Sequence, residues 1–229
     1  METVEMKVIA RIRSDFGGKF GIPRQSGLVD ALRAEIVFEP EFRSPEALRG
    51  IEGFSHLWLL WYFSEAERGE WSPTVRPPRL GGNRRVGVFA TRAPFRPNPL
   101  GLSCVRLLGV ERRGEEGSVL VVGGADLLDG TPIFDIKPYA PYADAHPDAT
   151  GSFASARPET LPVDCPPAML ARLPEEKRAA LLGVLAQDPR PRYQHDAQRV
   201  YGLSFAGCNV RFRVENGVVR VEDVAPETP

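Results

Sequence analysis

At 229 residues, 42% hydrophobic and 26% charged, the chain can bury a real core, as one large domain or as a main domain with a small appendage. No apolar run approaches the roughly 20 residues that cross a bilayer, and METVEMKVIARIR lacks the basic-then-apolar pattern of a signal peptide, so a cytoplasmic protein with no membrane partner is expected. The net charge of −1 gives no general argument for nucleic acid, and neither Cys104, Cys165 and Cys208 nor His56, His146 and His195 show ligand spacing, so neither disulfides nor a metal site is expected.

In chain order, Met6, Val8, Ala10 and Ile12 alternate with Lys7, Ile9, Arg11 and Arg13, the pattern of a half-buried strand. The following SDFGGKFGIPRQSG holds Gly17-Gly18 and Pro23, which exclude regular structure, and a loop that long inside a compact domain is usually functional. Further strands are expected at 34–39, 54–63, 85–92, 100–111, 118–126 and 131–137. FSHLWLLWYF is apolar at nearly every position and suits a strand buried on both faces or a short buried helix, with Trp58, Trp61 and Tyr62 as core. Only 44–48 reads as helical before residue 150. Repeated crossover helices are therefore missing, which disfavours a doubly wound parallel sheet and points to an antiparallel barrel or sandwich.

From 138 to 167 the composition shifts to Pro, Ala, Asp and Ser, the mark of a domain junction. Pro174 fits a first helical position, Glu175 and Glu176 suit the positive end, and Asp188-Pro189 stops a helix over 174–187. The tail CNVRFRVENGVVRVEDV holds two alternating runs around Asn216-Gly217, the signal of a tight hairpin. The expected organisation is a mainly β unit over 1–145, not Rossmann, and a small helix-plus-hairpin unit over 146–229.

Standard motifs are absent: GGKFG lacks the Lys-Ser/Thr ending of a P-loop, and GxGxxG, GxSxG, HExxH and paired CxxC do not occur. What stands out is a local charge bias. Between Trp71 and Val110 there is no Asp or Glu, whereas Arg76, Arg79, Arg84, Arg85, Arg92, Arg96 and Arg106 all fall there. Arginine without lysine favours forked recognition of carboxylate or phosphate; a solvated, salt-bridged face is the plainer alternative.

Four segments carry a resemblance: KFGIPRQSGLV (19–29), RGIEGFSHLWLLW (49–61), VRPPRLGGNRRVGVFATRAPFRPNPLGLS (75–103) and GADLLDGTPIFDIKPYAPY (124–142). Together they resemble the TsaA-like family of transfer RNA methyltransferases, in order over about 7–142 and weakly again through LAQDPRPRY (185–193). The resemblance implies a single-sheeted antiparallel β-barrel that binds S-adenosylmethionine near a homodimer interface. It also implies a small C-terminal domain that assists transfer RNA carrying threonylcarbamoyladenosine beside the anticodon, the base methylated at N6. Carried over by motif, the cofactor residues are Ser26, Gly27, Leu28, Ser64, Glu65, Arg92, Leu102, Gly123, Gly124, Ala125 and Asp126.

Methyl transfer needs positioning and a nucleophile with a free lone pair. N6 of threonylcarbamoyladenosine lies between an aromatic ring and a carbonyl, so losing its proton would sharpen attack. Within the matching segments Asp126, Asp129 and Asp135 are candidate bases. Asp126 could instead bind the methionyl amine or ribose, Asp129-Gly130 looks like turn chemistry, and Asp135 could neutralise Arg96 or Lys137. Arginines are repelled by a sulfonium, so Arg92, the first catalytic candidate, and Arg96 should face anions. Arg76, Arg79, Arg84, Arg85 and Arg96 are assigned to RNA, the first four as a phosphate-facing rim. Tyr139 and Tyr142 could stack on an extruded base or pack at the junction. A non-catalytic barrel binding RNA or a nucleotide, and a methyltransferase for another small substrate, are the rival readings.

Overall fold

The computed structural model describes residues 3–66, 71–81, 83–191, 194 and 196–227. In chain order its strands and helices are β1 (Ala10–Arg13), β2 (Arg33–Phe38), β3 (His56–Tyr62), β4 (Thr74–Val75), β5 (Val86–Gly87), β6 (Leu100–Arg113), β7 (Gly117–Gly123), β8 (Pro132–Pro138), α1 (Pro141–Asp144), β9 (Val163–Asp164), α2 (Pro167–Leu170), α3 (Glu175–Ala186), β10 (Tyr201–Phe205), β11 (Cys208–Glu215) and β12 (Val218–Pro226).

The chain is mainly β, with its strands distributed over three sheets among the described residues. Six strands close on themselves in the order β1-β2-β7-β6-β3-β8, every pairing antiparallel, with Ala10 opposite Ile133 sealing the ring. Closure removes exposed sheet edges, and period-2 alternation then fills the interior. In β3, Leu57, Leu59 and Trp61 point inward and are buried, while His56, Trp58, Leu60 and Tyr62 are half-buried on the outer face. The segment is thus a strand with one fully buried face, and Tyr139 and Asp144 partly cover the other: the Trp58 indole N–H donates to Asp144 Oδ2 over 3.0 Å.

A second core lies C-terminally. Its sheet runs β10-β11-β12-β9, with β9 parallel to β12, and α3 buries Ala180, Leu181, Val184 and Leu185 with it. The hairpin turn at Asn216-Gly217 has φ of 51° and 75°, the mirror-image geometry that matches strand twist. The expected helix-plus-hairpin is therefore enlarged by β9 and β10. Both are short, and β9 sits among prolines that hide a strand pattern. Pro174, the expected first helical residue, is instead the N-cap of α3, which begins one residue later at Glu175.

Two other expectations change. The segment 44–48 is a 3-10 turn over Pro45–Leu48, not an α-helix. The segment 85–92 supplies only the two residues of β5, paired with β4 as a ribbon outside the ring, before a 3-10 turn over Val88–Ala90. Pro94, Pro97 and Pro99 follow closely and remove ladder donors.

The loop between β1 and β2 joins the two cores. Phe16, Val29 and Leu32 belong to the second core, and Phe16 meets Phe205 edge to face at 5.6 Å. A Cβ on Gly17 would stand 2.5 Å from Ser204 Oγ, and one on Gly21, whose φ is +92°, would stand 2.2 Å from Leu203 Cδ1. The glycines let this loop lie flat on β10. The Lys177 ammonium on α3 clasps both Asp15 oxygens at 2.6 and 2.8 Å.

Candidate active site

The other side of the same loop faces a cleft of about 1030 Å³. Its walls are Lys19, Ile22, Pro23, Arg24 and Gln25 of the loop, Trp61 to Ala66 at the end of β3, Phe89 to Asn98 of the arginine-rich stretch and Leu100 to Leu102 of β6. Asp126, Leu128 and Thr131 complete it.

Asp126 follows β7 directly, where Gly124 turns the chain with φ +73°. A Cβ on Gly124 would lie 3.2 Å from the Gly27 backbone, and the Gly27 N–H donates to the Gly124 carbonyl over 2.9 Å. Two glycines are thus needed to bring the 26–28 turn against the 123–126 turn. The Ser26 hydroxyl accepts the Cys104 N–H at 3.1 Å. This close approach leaves Asp126 largely buried at the base of the cleft.

A directional chain of hydrogen bonds holds that carboxylate. The Trp61 indole N–H donates to Ser103 Oγ over 3.0 Å, and the Ser103 hydroxyl donates to Asp126 Oδ1 over 2.6 Å. Burial pushes the Asp126 carboxyl up to about 6, while Ser103, the N–H groups of Asp126 and Ser26, and the charge on Arg92 pull in the opposite direction. Desolvation dominates because a carboxylate removed from water loses more than these partners return. A carboxyl near 6 in a cleft is suited to exchange protons at neutral pH.

Sequence-assigned residues divide by placement. Ser64, Glu65, Arg92, Leu102 and Asp126 all line the cleft. Glu65 pairs with Lys19 at 3.4 Å across the lip, and the Arg92 guanidinium donates to the Gln25 side-chain oxygen. Ser26 and Gly27 back the cleft as described, and Gly123, Gly124 and Ala125 are buried beneath it. The Leu28 carbonyl accepts Arg157 Nη2 at 2.8 Å and faces a separate groove beside α3.

Asp135 is not brought to the cleft: it pairs with Lys137 at 2.8 Å and accepts the Ile136 N–H, the neutralising alternative read from sequence. Asp129 accepts the Ser14 N–H at 2.9 Å, turn chemistry that ties the loop's start. Tyr139 packs on His56 and Trp58, whereas Tyr142 is 94% exposed. Arg76, Arg84 and Arg85 are exposed on the segment joining β4 to β5, with Arg85 donating to Thr74 Oγ1 at 3.2 Å. The Arg79 side chain lies outside the described residues. Arg96 lines the cleft but turns one nitrogen to the Thr91 carbonyl at 2.8 Å, so it also fixes its own turn.

Sequence reasoning missed Ser103 and the role of Trp61. The available signal was a hydroxyl at an inward position of β6, between Gly101 and Val105, because a buried polar group demands a partner. Gly101 completes the arrangement: a Cβ there would stand 2.1 Å from the Trp61 ring. Among the described residues no group of three or more His, Cys, Asp or Glu is placed to hold a metal ion, and no helix is long and apolar enough to cross a membrane.

Comparison with known proteins adds to this geometry. The family model for the tRNA-methyltransferase O N-terminal domain matches residues 11–145, and that for the TrmO C-terminal domain matches 158–227. The chain is 41% identical to the tRNA (adenine(37)-N6)-methyltransferase of Escherichia coli K12, over 99% of this chain and 100% of the relative. It is 50% identical to the protein of that name from Eikenella corrodens, over 75% of this chain and 97% of the relative. The crystal structure of TrmO from Pseudomonas aeruginosa superposes with a TM-score of 0.81 at 38% identity, covering 98% of this chain and 99% of that one.

Proposed function

The chain belongs to the tRNA-methyltransferase O family, and from that premise we propose that it methylates N6 of threonylcarbamoyladenosine at position 37 of transfer RNA, using S-adenosylmethionine. The observation that carries the reading is a buried carboxylate, Asp126, at the base of a cleft rimmed by arginine.

The residues present fit the cofactor. Gly124 lets its turn pack directly on that of Gly27, since a Cβ there would stand 3.2 Å from the Gly27 backbone, and Ser26, Gly27, Gly123, Gly124 and Ala125 bring main-chain polar groups to the back of the cleft. With Ser64, Glu65, Leu102 and Arg92 on the opposite walls, these residues would hold the amino-acid and nucleoside parts. When bound, S-adenosylmethionine supplies an activated methyl group on a sulfonium.

The protein's own groups then position and deprotonate. Arg92 is repelled by a sulfonium and faces a carboxylate, that of the methionyl group or of the threonyl substituent. Asp126 takes the N6 proton, and Ser103 aims its oxygen. Because N6 is acidified by the neighbouring carbonyl, a carboxylate suffices where plain adenosine would resist. The unit over 1–145 carries this chemistry, the unit over 146–229 assists the RNA, and Arg76, Arg84 and Arg85 face phosphate. Half-exposed Leu102 on the cleft wall supports a homodimer that covers it.

The test is to incubate the protein with S-adenosylmethionine and transfer RNA carrying or lacking the threonylcarbamoyl group, and to weigh the nucleosides. A methyl gained only by the modified nucleoside is expected; no gain on it would sink the reading and leave an RNA-binding barrel.

A further inference from the structure

The aromatic pair Trp71 and Phe89 is used by neither core. Both are exposed, at 51% and 73%, and large rings left in water at adjacent positions are an unusual expense of apolar surface. Their adjacency is built by the ribbon. β4 and β5 pair Thr74 with Gly87 and Val75 with Val86, and the Val88 N–H extends the ladder to the Pro73 carbonyl at 3.0 Å. Val88 itself is buried and anchors the turn. The residues flanking this ladder, Trp71 on one side and Phe89 on the other, are thereby held side by side with ring centres 6.4 Å apart and planes 28° from parallel. The Arg96 guanidinium stands 5.8 Å from the Phe89 ring centre. Phe89 is also part of the cleft wall, so the pair sits at the mouth of the site that holds Asp126.

We propose that Trp71 and Phe89 form a stacking platform for an unpaired nucleobase of the RNA substrate, seated at the mouth of the cleft. The inference rests on the RNA-methyltransferase reading and deepens it. The occupant follows from charge and shape together. From Trp71 to Val110 the chain has no acidic residue and seven arginines, so the field around the rings attracts a polyanion, and parallel flat rings flanked by a guanidinium match a base plane. A base reaching the cleft has to leave its stack, and the platform returns stacking to it or to its neighbour.

The test uses an anticodon stem-loop RNA with 2-aminopurine in the loop, and the same sequence closed into a duplex. Trp71→Ala and Phe89→Ala should each weaken stem-loop binding about tenfold, within the ~1–3 kcal/mol of one base–ring stack. Phe89→Tyr and Trp71→Phe should retain affinity. The slope of log affinity against log salt should stay unchanged, since no phosphate contact is removed, and calorimetric affinity for S-adenosylmethionine should not move in Trp71→Ala, whose ring is not part of the cleft wall. Unchanged stem-loop affinity in both alanine variants would overturn the proposal. So would equal losses on the duplex, or loss of self-association in sedimentation, which would make the rings a contact between copies. Binding is read without turnover: ring-dependent binding with no methyl transfer would defeat the enzymatic reading alone, and methyl transfer indifferent to the rings would defeat this proposal alone.

Discussion

Asp126 illustrates how one buried carboxyl links stability to activity. Its folded value near 6 stands above the ordinary 3.8, so the folded state holds the proton more tightly than the unfolded chain. Its stabilising contribution is therefore full below about pH 4 and is lost as pH rises through about 6. Asp126→Asn should remove this trend, and urea midpoints of the two proteins at pH 4 and pH 7 check it on the order of a few kcal/mol. Activity has the opposite sign, since the base must be ionised: kcat/KM should rise through a midpoint near 6. Ser103→Ala removes a hydrogen bond that favours the carboxylate, so its midpoint should move upward, and an unmoved midpoint would separate Ser103 from the reacting group. Arg92 is exposed and bonded only to Gln25 among its described hydrogen bonds. Arg92→Ala should lower turnover at least about tenfold, the loss of one charge-assisted anion contact, with the melting temperature unchanged.

At the scale of elements, the loop between β1 and β2 is the piece on which both cores depend. Lys177→Met leaves Asp15, whose side chain is only 11% exposed, without its cation. It should cost about 2 kcal/mol, read as a lowered melting temperature, and it should also weaken cofactor binding because the same loop backs the cleft. Gly124→Ala is predicted to be worse for the cofactor than for folding. The new Cβ meets Gly27 backbone at 3.2 Å and sits at φ +73°, so the two turns must separate. Much of this architecture was legible: alternation marked β1 and the tail hairpin, and missing crossover helices disfavoured a doubly wound parallel sheet. The ribbon and β9 were not, because two-residue strands among prolines have no period to read. Nor could alternation show that β3 buries one face, since its outward residues are as apolar as its inward ones.

Across the whole molecule, local sequence signals placed the arginine bias and the long glycine loop, and the geometry shows why both matter: each forms a wall of one cleft. Asp126 was one of three acidic candidates; local context already suggested turn chemistry for Asp129 and a cation partner for Asp135, but only long-range packing gives Asp126 its place. Asp129 ties a turn and Asp135 pairs with Lys137, whereas Asp126 is reached by residues 61 and 103 from two other strands. No window of sequence contains that convergence. The central claim is that this carboxylate serves methyl transfer to an acidified N6, and single-turnover transfer by the wild-type protein and Asp126→Asn, on transfer RNA with and without the threonylcarbamoyl group, tests it most directly. Transfer to the modified RNA only is expected, slowed about 100-fold or more in the variant, the usual weight of a general base. Equal rates for the two proteins, or equal rates on the two RNAs, would contradict it.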